Sequence, residues 1–327
     1  MLISMETKIN PFILIIYGPT GVGKTDIALS IGQHISAEIV NMDVGQFYTP
    51  LSIGTAKPDW KNCITPHHLF DIINEPKNFS VAEYRTLFLK KVSEIIARGN
   101  LPIVVGGSSF YLRSLLFPLD DQLSNNDTMY DISQNSWEIL YDVDPQRALS
   151  IEKTDTYRIT RALEIWKKTG HKPTSFVPSY SPPADFLLLS VSRDISELNT
   201  RINARVIEMI NNGWIEETKK LCNTPWQAFI ETKKIIGYND IFQYLQTNQN
   251  KLSFEHMITI VSNKTRQYAK RQRTFMRKIE REINDEVSYD GQYIGCVESI
   301  NLTDLDINLY INELLQRLST IIGKKYE

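Results

Sequence analysis

The chain has 327 residues, 42% hydrophobic and 23% charged, with 15 glycines and 14 prolines. These proportions exclude a disordered or fibrous polymer and suit one large α/β core with a smaller appended or inserted domain. A formal net charge of −2 excludes a uniformly basic nucleic-acid binder, so any contact with a phosphate backbone must be local.

The first apolar run, Phe12-Ile-Leu-Ile-Ile-Tyr17, is too short to span a bilayer and lacks the leader and cleavage site of a signal peptide, so no membrane association is expected. It reads as a buried strand. Gly18 to Thr25 follow as a glycine-rich loop, and Asp26 to His34 as a helix. Glu38-Ile-Val40 leads into Asn41-Met-Asp43, and Leu101-Pro-Ile-Val-Val105 into Gly106-Gly107. Strands alternating with helices in this way predict a parallel, doubly wound α/β sheet whose functional residues gather at strand C-termini.

Asp120, Asp121, Asn125, Asn126 and Asp127 make the next stretch polar, and Val177-Pro-Ser-Tyr-Ser-Pro-Pro183 is a second linker. Between them a helix is predicted over about 156–169, closed by Gly170 and Pro173. Phe186-Leu-Leu-Leu-Ser-Val191 returns as a strand, and the chain from Asp194 on is mostly helical by pattern. The expected organisation is a core of residues 10–117 and 186–327 with a small helical insertion over 118–185. Cys63, Cys222 and Cys296 are too few and too scattered for a disulfide framework or a metal knuckle, and a reducing cytoplasm is the simplest setting.

Gly18-Pro19-Thr20-Gly21-Val22-Gly23-Lys24-Thr25 matches G-x-x-x-x-G-K-[ST] after a strand and before a helix, so the fold expected is P-loop NTPase-like. Inward-turned N–H groups and the helix N-terminus suit an anion. Lys24 supplies a positive charge to the distal phosphate and Thr25 a hydroxyl to Mg²⁺. The loop alone does not say which phosphate compound it holds: a kinase would cradle a nucleoside triphosphate, a prenyltransferase a pyrophosphate leaving group.

Asn41-Met-Asp43-Val-Gly-Gln46-Phe-Tyr48 and Ile53-Gly-Thr-Ala-Lys-Pro58 resemble the tRNA dimethylallyltransferases, whose second strand typically ends in Asp-Ser-x-Gln-x-Tyr and continues to Ile-Gly-Thr-Ala-Lys-Pro. Val44 stands where that family has Ser. Further segments share the resemblance: Pro66-His67-His68-Leu69 with Asp71, Gly106-Gly107-Ser108 with Tyr111, Asp155 to Glu164 with Thr169-Gly170, Ile236-Gly237-Tyr238, and Thr265 to Phe275, where Phe275 replaces the usual Trp. The adjacent histidines read as packing residues in the absence of a third ligand. No arginine lies between Arg113 and Arg147 to match one that the family places there.

The resemblance implies transfer of a dimethylallyl group from dimethylallyl diphosphate to N6 of the adenosine 3′ to the anticodon. Asp43 would take the amine proton as that nitrogen attacks, and Thr20 and Lys24 would complete the catalytic set. Residues 18–25 would bind the diphosphate, with Mg²⁺ on Thr25. On the residues alone, the alternative is that Asp43 caps a helix or associates with a metal. The tRNA anticodon stem-loop would meet Asp43, Val44, Gly45 and Gln46, Ser108, Tyr157, Arg158, Ile159, Thr160 and Arg161, the stretch Lys234, Ile235, Ile236, Gly237 and Tyr238, and Arg266, Lys270, Arg271 and Arg273. The target base would be flipped into a channel. The chain lacks a zinc finger, which favours a bacterial-type, cytoplasmic enzyme, expected to act as a monomer.

Seven Lys or Arg lie between Lys264 and Lys278 with no acid among them. At helical spacing Arg266, Lys270, Arg273 and Arg277 share one stripe, and Tyr268, Phe275, Met276 and Ile279 an apolar one. Such cations could neutralise departing pyrophosphate, tRNA phosphates, or both. A P-loop kinase of a small metabolite, an RNA-stimulated NTPase and a prenyltransferase of free adenine nucleotides are the alternatives.

Overall fold

The computed structural model describes residues 11–118, 136–247, 249–287 and 295–326. Phe12–Tyr17 forms strand β1, with every residue buried, because a continuous apolar run fits a strand covered on both faces. The other strands are β2 (Ala37–Asn41), β3 (His67–His68), β4 (Leu101–Gly106), β5 (Asp185–Ser192) and β6 (Gly295–Asn301), in the order β3-β2-β4-β1-β5-β6. All neighbours are parallel. Their C-terminal ends therefore open on one edge, as an α/β binding site requires.

Tyr17 is in register with Gly106 on one side and Ser190 on the other. The phosphate loop accordingly leaves the sheet between the ends of β4 and β5. Helix α1 (Lys24–Gly32) begins two residues before the expected Asp26, with Gly23 at its N-cap in the left-handed region at φ 108°, a conformation glycine adopts without steric cost. Strands β3 and β6 were not anticipated from the sequence. The first is two residues long and the second is an edge strand in which only Ile300 is buried, so neither carries an apolar run.

The chain divides into two compact units, Met1–Asn78 with Leu87–Leu112 and Pro183–Glu327, and Phe79–Thr86 with Arg113–Pro182. The division differs from the expected 118–185 because helices α2 (Val81–Ala97) and α3 (Ser109–Leu116) run across it, so a shift in composition does not coincide with a shift in packing. The polar cluster from Asp120 to Asp127 lies outside the described residues.

In the first unit, Leu14, Ile16, Ile27, Val105, Leu189 and Leu314 join one apolar core. In the second, α4 (Ser136–Val143), α5 (Pro145–Leu149) and α6 (Thr156–Thr169) pack around Leu140, Ala148, Ile151, Ile159 and Leu163. Gly170 ends α6 in the left-handed region, as its position in the sequence predicts.

Among the described residues of the first unit, β5 is followed by α7 (Ile195–Asn211), α8 (Trp214–Leu221), α9 (Pro225–Lys233), α10 (Tyr238–Gln246) and α11 (Lys251–Val287), and β6 by α12 (Ile307–Tyr326). Helix α7 buries Leu198, Ile202, Val206 and Ile210, one stripe at four-residue spacing. Among the described residues no helix is long and apolar enough to cross a membrane.

Candidate active site

The ends of β1, β2 and β4 and one face of α7 surround a cavity of about 450 Å³. The loop after β1 contributes Thr20, Gly21, Gly23, Lys24 and Thr25, and the end of β2 contributes Asp43. Gly18, Pro19 and Val22 are the buried remainder of the loop. Lys24 Nζ donates to the carbonyls of Gly18 and Pro19, both at 2.9 Å. Burial pushes its ammonium down to about 8, against the pull of the Asp43 carboxylate.

Asp43 is held from both sides. Its N–H donates to Asn41 Oδ1 at 2.9 Å, and Asn41 Nδ2 donates to the Leu69 carbonyl at 3.0 Å. Asp43 Oδ1 accepts the Gly45 N–H at 3.3 Å and caps the 3₁₀ turn Val44–Phe47. Among the described residues no hydrogen bond engages Oδ2. The cap therefore engages one oxygen of the carboxylate. Burial pushes the Asp43 carboxyl upward, while Lys24, the Gly45 N–H and Arg205 pull it down.

Gln46 also lines the cavity, and its Nε2 donates to the carbonyls of Thr55 and Ala56 at 3.2 and 3.3 Å. The Ile53 to Pro58 motif is anchored in turn by Glu217 on α8. That carboxylate accepts the N–H groups of Ser52, Ile53 and Gly54 at 3.0, 2.8 and 3.1 Å and the Tyr238 hydroxyl at 2.6 Å.

Sequence reasoning missed the cationic wall. Arg201, Ala204, Arg205 and Glu208 of α7 line the cavity, with Arg201 Nε donating to the Gly21 carbonyl at 3.0 Å and Arg205 Nη1 lying 3.4 Å from the Thr20 hydroxyl. Arg193, just after β5, donates Nε to the Val22 carbonyl at 2.9 Å. A signal was present. At helical spacing Arg201, Arg205 and Glu208 share one face of α7, beside the stripe that the helix buries.

The sequence leaves open whether the cations of α11 face the phosphate loop or tRNA. No Lys or Arg of α11 lines this cavity, and the residue that does reach the loop is the buried Gln272, whose Oε1 accepts the Thr20 N–H at 2.9 Å. Lys270 and Arg271 are exposed, whereas Arg266 and Arg273 are half-buried. Arg266 is hydrogen-bonded to Asn203 and Asn263, and Arg271 lies 6.0 Å from the Tyr268 ring centre.

Other sequence-predicted residues divide by burial. Val44 is exposed, and Gly45 and Ser108 are half-buried. Lys234 is exposed and Ile235 and Ile236 half-buried, but Gly237 and Tyr238 are buried. Those last two build the wall around Trp214 and Glu217; they offer no free surface. In the second unit Tyr157 and Arg158 are exposed, Thr160 and Arg161 half-buried, and Ile159 belongs to the core. Arg158 pairs with Asp155 at 2.9 Å and Arg161 with Glu164 at 3.0 Å. His68 Nε2 lies 2.5 Å from Glu38, and His67 Nδ1 lies 2.7 Å from the Thr65 carbonyl.

The cavity thus brings Lys24, Arg201 and Arg205 together with the Asp43 carboxylate. A profile of the IPP transferase family matches residues 46–279. The tRNA dimethylallyltransferase of Petrotoga mobilis is 36% identical over 279 residues, 82% of this chain and 91% of that protein. The tRNA isopentenylpyrophosphate transferase of Bacillus halodurans superposes with a TM-score of 0.62 at 27% identity, over 97% of this chain and 98% of that one. A eukaryotic dimethylallyltransferase acting on tRNA shares the fold with a TM-score of 0.74 at 24% identity, over 94% of this chain and 77% of that one. On this agreement of sequence and fold, the chain belongs to the IPP transferase family.

Proposed function

We propose that the chain transfers a dimethylallyl group from dimethylallyl diphosphate to N6 of the adenosine immediately 3′ of the anticodon in tRNA, releasing diphosphate. The carrying observation is that Asp43 and Lys24 line one cavity with Arg201 and Arg205, which pairs a proton acceptor with a cradle for an anionic leaving group. As the C–N bond forms and the C–O bond to diphosphate breaks, Asp43 takes the N6 proton and the negative charge passes to the diphosphate. Lys24, Arg201 and Arg205 face that developing charge, and preorganised cations in a partly enclosed cavity stabilise it more than water would.

Mg²⁺ fits this arrangement as a companion of the donor. Among the described residues no cluster of three or more His, Cys, Asp or Glu is placed to hold a metal. The ion would instead rest on the Thr25 hydroxyl together with diphosphate oxygens, the mode in which Mg²⁺ is commonly held by few protein ligands. It would supply charge neutralisation of the leaving group. The exposed cations Lys270 and Arg271 on α11 and Arg158 on α6 are suited to tRNA backbone phosphates.

The test is transfer of labelled dimethylallyl from its diphosphate to unmodified tRNA with adenosine 3′ of the anticodon, with ATP hydrolysis followed in the same sample. Transfer without ATP consumption is the expected result. ATP turnover without transfer would return the loop to a nucleotide role.

A further inference from the structure

Gln272 lies on α11 between two arginines, yet it is only 4% exposed. Its Oε1 accepts the Thr20 N–H at 2.9 Å, and its Nε2 donates to the Gly107 carbonyl at 2.9 Å. One side-chain amide therefore ties the phosphate loop after β1 to the turn after β4. The fit is close: a Cβ at Gly107 would stand 2.4 Å from Gln272 Nε2. Thr20 in turn places its hydroxyl 3.4 Å from Arg205, so the peptide that Gln272 holds belongs to the cradle itself.

We propose that Gln272 is a positioning residue for the diphosphate: it fixes the Thr20 peptide against the β4 turn and thereby sets the loop geometry in which the donor is held. The inference rests on the proposed function for the identity of the donor. A side-chain amide suits the task because it offers an acceptor and a donor together. Leu at this position would leave two backbone polar groups without partners. Ionised Glu would keep the bond from Thr20 but set an acceptor against the Gly107 carbonyl, and protonated Glu would restore both bonds.

The experiment measures calorimetric binding of inorganic diphosphate with Mg²⁺, and separately of tRNA, to the full chain and to Gln272→Leu and Gln272→Glu. Gln272→Leu is expected to weaken diphosphate roughly tenfold while tRNA affinity stays within about twofold. Gln272→Glu is expected to regain diphosphate affinity, relative to the unsubstituted chain, as pH falls from about 8 to about 6. Unchanged diphosphate affinity in Gln272→Leu would overturn the proposal. So would equal losses for diphosphate and tRNA with no recovery of Gln272→Glu at low pH, the pattern of a purely structural amide. Binding is read without turnover, so absence of prenyl transfer by the unsubstituted chain would count against the proposed function and leave the role of Gln272 to the calorimetry.

Discussion

Arg205, on α7, places a guanidinium nitrogen 3.4 Å from the Thr20 hydroxyl. Burial lowers its pKa, while Asp43, Glu208 and Asp26 oppose that shift, and a guanidinium keeps its charge in proteins. It is therefore a fixed cation beside the loop proposed to cradle the leaving group. Arg205→Gln should lower the single-turnover rate of prenyl transfer by roughly 10²-fold, with tRNA affinity little changed. A variant as fast as the unsubstituted chain would remove Arg205 from the chemistry.

Asp43 and Lys24 are shifted toward each other: burial raises the carboxyl, and burial lowers the ammonium to about 8. A general base works above its pKa and a phosphate-binding ammonium below its own. For the free enzyme, kcat/KM for dimethylallyl diphosphate should rise with pH as Asp43 ionises, then fall above about pH 8 as Lys24 loses its proton. Asp43→Asn should cost on the order of 10³-fold in rate and abolish the rising limb while the descending limb persists. A rising limb that survives in Asp43→Asn belongs to another group.

Much of the core of this site is legible before any coordinates. The run from Phe12 to Thr25 declares a buried strand, an anion loop and a helix start, because each is a local pattern. Asp43 follows from the motif beside it. Arg201, Arg205, Gln272 and Glu217 are a different matter, since each acts on residues far away in the chain. Helix periodicity tells which face of α7 is polar but not that this face meets the Gly21 carbonyl. The basic stretch of α11 draws attention to its charges, whereas the residue that reaches the phosphate loop is the uncharged amide among them. Ile159 shows the opposite error: a motif match carried a core residue of α6 into the RNA surface.

Trp214 is enclosed by two glycines. A Cβ at Gly237 would lie 2.1 Å from the indole, and one at Gly54 would lie 2.0 Å from its Nε1. Gly237 also has φ 86°. Gly237→Ala should therefore destabilise the chain by about 2–4 kcal/mol, combining overpacking with an unfavourable backbone conformation. Urea unfolding measures it. A loss well under 1 kcal/mol would mean that the Trp214 pocket relaxes readily.

Arg158 and Arg161 stand three residues apart on α6, each already paired within its own helix to Asp155 or Glu164. The exposed Arg158 pair holds by about 1 kcal/mol or less, so a tRNA phosphate can compete for its guanidinium, with the half-buried Arg161 one turn further on. Replacing both by Ala should weaken tRNA binding and reduce the slope of log affinity against log salt by about 1–2, since each guanidinium on a phosphate displaces about one counterion or less. Ile159→Ala provides the contrast, because it removes core volume from the same helix and should lower stability by about 2–5 kcal/mol without changing that slope. Equal salt slopes for the double variant and the unsubstituted chain would show that neither arginine meets a tRNA phosphate. Any phosphate contact of this unit would then have to come from other cations, such as Lys167 or Lys168, in the last turn of α6.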